Sequence, residues 1–104
     1  MSRADITLDI TFDINEPEKS IIKTNAKREV VLEILEDWLY CQMGQGKDNS
    51  KPIKKDFYSI KIFLDLSDDS FSTVSDTGNE GLTCGIIMHL SRIFSCLEIQ
   101  PLFS

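Results

Sequence analysis

DITLDITFDI, residues 5–14, alternates without a miss. Ile6, Leu8, Ile10, Phe12 and Ile14 fall on one side of an extended chain, and Asp5, Thr7, Asp9, Thr11 and Asp13 fall on the other. Period two over this length predicts a β-strand with one buried face and one wet face. Strands covered by helices on both sides read instead as near-continuous apolar runs. The expected sheet is therefore open to water on one face, with helices on the other.

Working outward, residues 15–24 read as a loop around Pro17, and a helix follows over 26–43 with Thr24 or Asn25 as its cap. At helical spacing Val30, Val31, Leu32, Ile34, Leu35, Trp38, Leu39, Cys41 and Met43 span an arc of about 220°, against a strip of Glu29, Glu33, Glu36 and Asp37. That arc is wider than packing on one sheet requires. GQGKDNSKPIKKD, 44–56, has no periodicity and predicts a mobile lysine-rich loop. FYSIKIFLDL, 57–66, alternates again, SDDS at 67–70 supplies turn chemistry, and 70–77 makes a weaker third strand.

Asp76-Thr77-Gly78 matches the tripeptide that carries the catalytic carboxylate of aspartic proteases. Those enzymes place it early in an all-β chain, whereas here it runs into a helical pattern near the end of the sequence. Thr77-Gly78-Asn79-Glu80 fits a capping box, with Asn79 as the alternative cap. From there Leu82, Ile86, Leu90, Ile93 and Leu97 form a stripe that Ile87 and Phe94 widen. The tail, 98–104, adds a short edge strand or wraps the surface, since Pro101 argues against a central strand. The expected fold is α+β: one domain over 1–104 with two layers and the order β-α-β-β-α, its two helices packed on one face of a three-stranded mixed sheet.

The chain has 104 residues and a net charge of −6, which argues against general affinity for nucleic acid or anionic membrane. No apolar stretch is long enough for a membrane span, and the first residues lack the pattern of a secretory leader. Three unpaired cysteines, Cys41, Cys84 and Cys96, fit a reducing cytoplasmic setting. One basic island, Lys47, Lys51, Lys54, Lys55 and Lys61 with Phe57 and Tyr58, interrupts the acidic chain. Lysines interleaved with aromatics suit single-stranded nucleic acid, but a solvated loop or a contact for an acidic protein is the better reading.

Candidate chemistry is sparse. Asp65, Ser67, Asp68 and Asp69 could gather oxygens around a metal, and with Asp76 they define the alternative function, a metal-dependent phosphodiester hydrolase. The spacing lacks a calcium loop's alternate ligands and glycine, so a hairpin turn is favoured. His89, the only histidine, lies at the margin of the second helix's stripe, where a partly buried ring bonded to a carbonyl is expected. Cys84 projects about 140° from it around the helix, so the two make no thiolate-imidazole pair. Asp5, Asp9 and Asp13 are roughly 13 Å apart in turn along their strand. They read as a solvated face, with Lys61 as a cross-strand partner. The free amides at 78–81 could cradle an anion, but Asp76 and Glu80 already occupy that end with negative charge. No motif asks for a cofactor, and no residue is nominated as catalytic or as a metal ligand.

The strongest functional signal is a lack of charge. The second helix's far side holds Cys84, Met88, Ser91, Arg92 and Ser95, with Arg92 its only ionic group. An exposed helix face normally carries several charges. Together with Leu32 and Leu39 from the wide arc of the first helix, these residues are the expected partner-binding set. The reading is a small acidic protein-interaction or regulatory module without catalysis, a homodimer through its helical layer, with a C-terminal tail folded back over the same face as the alternative cover. Its open sheet face and lysine loop remain for a protein partner.

Overall fold

The computed structural model describes residues 5–42 and 54–103. In chain order these form β1 (Ile6–Asp13), β2 (Ile21–Thr24), α1 (Arg28–Gln42), β3 (Phe57–Asp65), β4 (Ser70–Ser75), α2 (Glu80–Arg92) and β5 (Glu98–Pro101). The α+β class, the two helices and the mixed sheet agree with the sequence. The strand count does not: the sheet has five strands in the order β4-β3-β1-β2-β5. The chain order is β-β-α-β-β-α-β, where β-α-β-β-α was expected.

The two extra strands are four residues each, too short for alternation to register. β2 turns back antiparallel on β1. Asp13 makes that turn by accepting hydrogen bonds from the Asn15 and Glu16 amides, and Ser20 Oγ accepts from the Asp13 amide. β5 lies parallel to β2 at the far edge, with Ile99 beside Ile22 and Pro101 closing the strand. The lysine-rich stretch 44–56 falls outside the described residues except for Lys54, Lys55 and Asp56.

β1 sits at the centre and β3 runs antiparallel to it, so Leu8, Ile10 and Phe12 meet Ile62, Ile60 and Tyr58 on one face. All six are buried, and the alternate residues of β3 (Phe57, Ser59, Lys61 and Phe63) are exposed. The register places Asp9 between Lys61 and Lys23 on the wet face, which stays open. Burying side chains of this size contributes about 1.5–3 kcal/mol each before the cost of ordering the chain.

α1 carries the chain from β2 across β1 to β3. α2 carries it from one edge of the sheet to the other. α1 starts two residues later than expected: the Thr24 hydroxyl accepts from the Ala26 amide, while Asn25 reaches back to the Thr7 amide and the Asp5 carbonyl. Val31, Ile34, Leu35, Trp38 and Leu39 face the sheet. Cys41, at the rim of the expected arc, is exposed. α2 is capped by Asn79, whose side chain accepts from the Leu82 amide at 2.9 Å. Gly78, at φ 70°, makes the left-handed turn before it. α2 buries Thr83, Ile86, Ile87 and Leu90 and ends at Arg92, where a short 3-10 turn, Phe94–Cys96, redirects the chain into β5. Among the described residues no helix is long and apolar enough to cross a membrane.

Candidate functional site

The helices run antiparallel. Trp38 and Gln42 of α1 stand by the start of α2, and Arg28 at the other end of α1 donates to the Leu97 and Phe94 carbonyls at 2.9 and 2.8 Å. Neither helix lies fully over β4. The gap between them and that strand is a cleft of about 330 Å³. Its floor and walls are Trp38, Phe71, Thr73, Thr83 and Cys84, with Gln42 and Glu80 around the rest of its lining.

One bond and one cluster set its shape. The Trp38 indole N–H donates to Thr73 Oγ1 at 2.8 Å, fastening α1 to β4. Beside it the hydroxyls of Ser75, Thr77 and Thr83 meet at 2.6–3.1 Å, and those of Thr77 and Thr83 both reach the Asn79 carbonyl. Thr77 and Thr83 are buried polar residues, and this cluster pairs their hydroxyls where water is excluded. Thr77 thus belongs to the joint between β4 and α2, while Asn79 alone caps the helix.

The cleft's thiol and hydroxyls are held neutral or already bonded. Burial, aided by Glu80, pushes the Cys84 thiol up, away from the thiolate that nucleophilic attack needs. His89 is exposed and stands edge-on to Phe12 at 6.3 Å between ring centroids, a correction to the half-buried, carbonyl-bonded ring expected. The Ser75 and Thr83 hydroxyls are committed to the cluster.

The β4 edge adjoins the cleft. Among the described residues no strand lies beyond it. Two bonds show which of its backbone groups point outward: the Ile14 amide donates to the Asp56 carbonyl, and the Asp76 amide to the Ser59 carbonyl. With the registers of β1, β3 and β4 these make Ser70, Ser72 and Val74 the residues bonded to β3. Phe71, Thr73 and Ser75 turn their amides and carbonyls away from the sheet, and their side chains lie on the helix side. Val74 is 74% exposed on the wet face.

Asp76 closes this corner. Burial opposes its charge, but the Lys55 ammonium at 2.9 Å and the Ser59 amide at 2.8 Å outweigh that and hold its carboxyl below the usual carboxylate range. Lowered in the folded state, it adds stability above the unfolded value near 4, and loses it as pH falls through the folded value. Asp76→Asn is therefore expected to cost about 0.5–1 kcal/mol at pH 7, modest because water screens the pair. In urea melts the gap between variant and wild type should shrink as pH falls through the lowered folded value; a gap unchanged by acid would refute the assignment.

The residues nominated from sequence separate. Leu39 is 8% exposed and belongs to the core, which corrects its place in a partner-binding set. Cys84 turns toward α1 in the cleft, and Met88 and Ser91, one and two turns on, share that side of α2. Leu32, Cys84 and Met88 pack half-buried against the shared core, so α1 accounts for part of the uncharged face. Arg92 and Ser95 are exposed. Tyr58 is 2% exposed, so only Phe57 of the two aromatics in the lysine island can meet a ligand. The acidic turn is built for itself: Asp65 and Asp68 accept from the amides and hydroxyls of Ser67 and Ser70, and the Ser67 bonds hold the Asp65 carboxyl low. Among the described residues no group of histidine, cysteine and acidic side chains is placed to hold a metal.

Sequence reasoning missed the cleft and the edge. A signal for the edge was present: SFSTVS, 70–75, carries neither charge nor proline, the residues that usually protect an edge strand. Comparison with known protein families, curated proteins and solved structures finds no match to this chain.

Proposed function

We propose that this protein is a protein-interaction module without catalytic chemistry, and that it meets its partner at the β4 edge and the adjoining cleft. One observation carries this: Phe71, Thr73 and Ser75 turn unpaired backbone groups outward along an uncharged strand beside an open cleft. Exposed backbone of this kind is the template for pairing with another chain. The protonated Cys84 and the committed hydroxyls support binding over turnover. Self-association through the helical layer would draw on Leu32, Cys84, Met88, Ser91, Arg92 and Ser95, of which Leu32, Cys84 and Met88 already pack half-buried against the protein's own core.

Quantitative capture from an extract of the native host tests this, with an unrelated protein of equal charge as control. One or a few proteins retained in near-stoichiometric amounts are expected. Retention of nothing above the control overturns the reading.

A further inference from the structure

We infer that the β4 edge takes up an extended protein segment with basic ends as a sixth strand, seating an apolar side chain in the Trp38 cleft. This rests on the interaction reading above and names its partner class.

The backbone geometry sets the register. An antiparallel strand that bonds to Phe71, Thr73 and Ser75 must place three alternate residues opposite them. Residues directly opposite share a face, so those three side chains project on the helix side, and the one facing Thr73 stands beside the cleft. The cleft, about 330 Å³, is walled by Trp38, Phe71 and Cys84 and accepts an aliphatic or aromatic group. Residues between these three project toward the wet face, beside Ser72 and Val74, and can be polar.

The two edges of the sheet differ in how they are guarded. β5 has four residues, ends in Pro101, and is followed by a bond from the Leu102 amide to the Thr24 carbonyl. β4 has six residues with no lysine or proline among them. Natural edges without such guards are those that pair.

Charge selects the occupant. Asp68 and Asp69 stand at one end of β4 and Glu80 at the other, in a chain of net charge −6. The nearby lysines do not offset this at the edge: Lys55 is tied to Asp76, and Lys61 lies on the opposite face of the sheet. Lysine or arginine at both ends of an added strand meets acid at both ends of β4. A second copy finds no such match. Pairing β4 with itself about Thr73 sets the Asp68–Asp69 turn of each copy alongside the Asp76–Lys55 ion pair of the other, which offers no net positive charge to attract it.

The probe is a capped nonapeptide with two lysines at each end and Val-Thr-Leu-Thr-Val between them; a twin carries glutamates for the lysines. Trp38 is the only tryptophan and lies in the cleft, so its fluorescence reports occupancy. The lysine peptide is expected to give a saturable change with a midpoint below about 100 μM, in the range of weak, small interfaces. Binding should weaken several-fold when added salt screens the charges, and the glutamate twin should give no saturation. Amide exchange should slow at Phe71, Thr73 and Ser75 in the complex and stay unchanged at Ser72 and Val74, which already bond to β3. Thr73→Val and Thr73→Pro both lose the Trp38 hydrogen bond, but only proline also removes the outward amide. Thr73→Pro should bind at least tenfold more weakly than Thr73→Val, with thermal melts confirming that both fold. If proline prevents folding, the exchange pattern and the glutamate twin decide on the wild type.

No saturation with the lysine peptide, equal binding of the two peptides, or uniform protection along β4 overturns the inference. So does a dimer that protects the same three amides without peptide, which assigns the edge to a second copy. A partner captured from extract that survives Thr73→Pro overturns the inference and leaves the interaction reading standing.

Discussion

Ile10→Ala is expected to cost about 3 kcal/mol, the usual range for truncating a fully buried branched side chain. Ile10 has no exposed surface and lies on the central strand, between Ile22 of β2 and Ile60 of β3. Its methyl groups fill space from which neither neighbour can withdraw without breaking a strand ladder, so the cavity should persist. For a domain of this size the loss should lower Tm by about 15 °C. The matched control is Thr11→Ala, one residue along and on the wet face, with an expected change within about 0.5 kcal/mol. Denaturant melts measure both. Equal losses for the two would mean that the alternation of residues 5–14 does not report burial.

That pair of substitutions marks what could be read directly. DITLDITFDI and FYSIKIFLDL place Leu8, Ile10, Phe12, Ile60, Ile62 and Leu64 on one face and in the core, as their spacing requires. The α1 contacts Val31, Ile34, Leu35 and Trp38 follow from spacing of the same kind. β2 was not legible, and β5 only as one of two alternatives for the tail, because four residues give only two inward positions. In β5 one of these is Pro101, whose strand role depends on lying at an edge. The uncharged side of α2 was legible as a pattern, but its meaning was not. Cys84 lines the cleft with Trp38 and Gln42 of α1, and Met88 packs half-buried against the core, placements that depend on where the two helices sit.

Trp38→Ala should be the more damaging change, at about 4 kcal/mol. Trp38 is 3% exposed, and its indole N–H holds Thr73 at the sheet's uncovered edge. Removing it opens the cleft into the core and frees β4 from α1. Trp38→Phe keeps most of the buried area and loses one hydrogen bond, for an expected cost of about 1–1.5 kcal/mol. Amide exchange gives a regional readout: in Trp38→Phe, β4 should exchange faster while β1 and β2 hold. A loss below about 1.5 kcal/mol for Trp38→Ala, or faster exchange at β1 before β4, would remove Trp38 as the anchor of the cleft.

By itself, the sequence determined the types of the long elements, the buried face of each and the wetness of the sheet's other side. These are local consequences of side-chain period, since a strand or helix repeats its environment every two or 3.6 residues. Only the tertiary structure decided that β4 ends the sheet, that β2 and β5 extend it, and that Trp38 meets Thr73 beside a cleft. Those depend on which distant segments pair. Strand pairing is settled by burial summed over the whole chain, a quantity that no single stretch records.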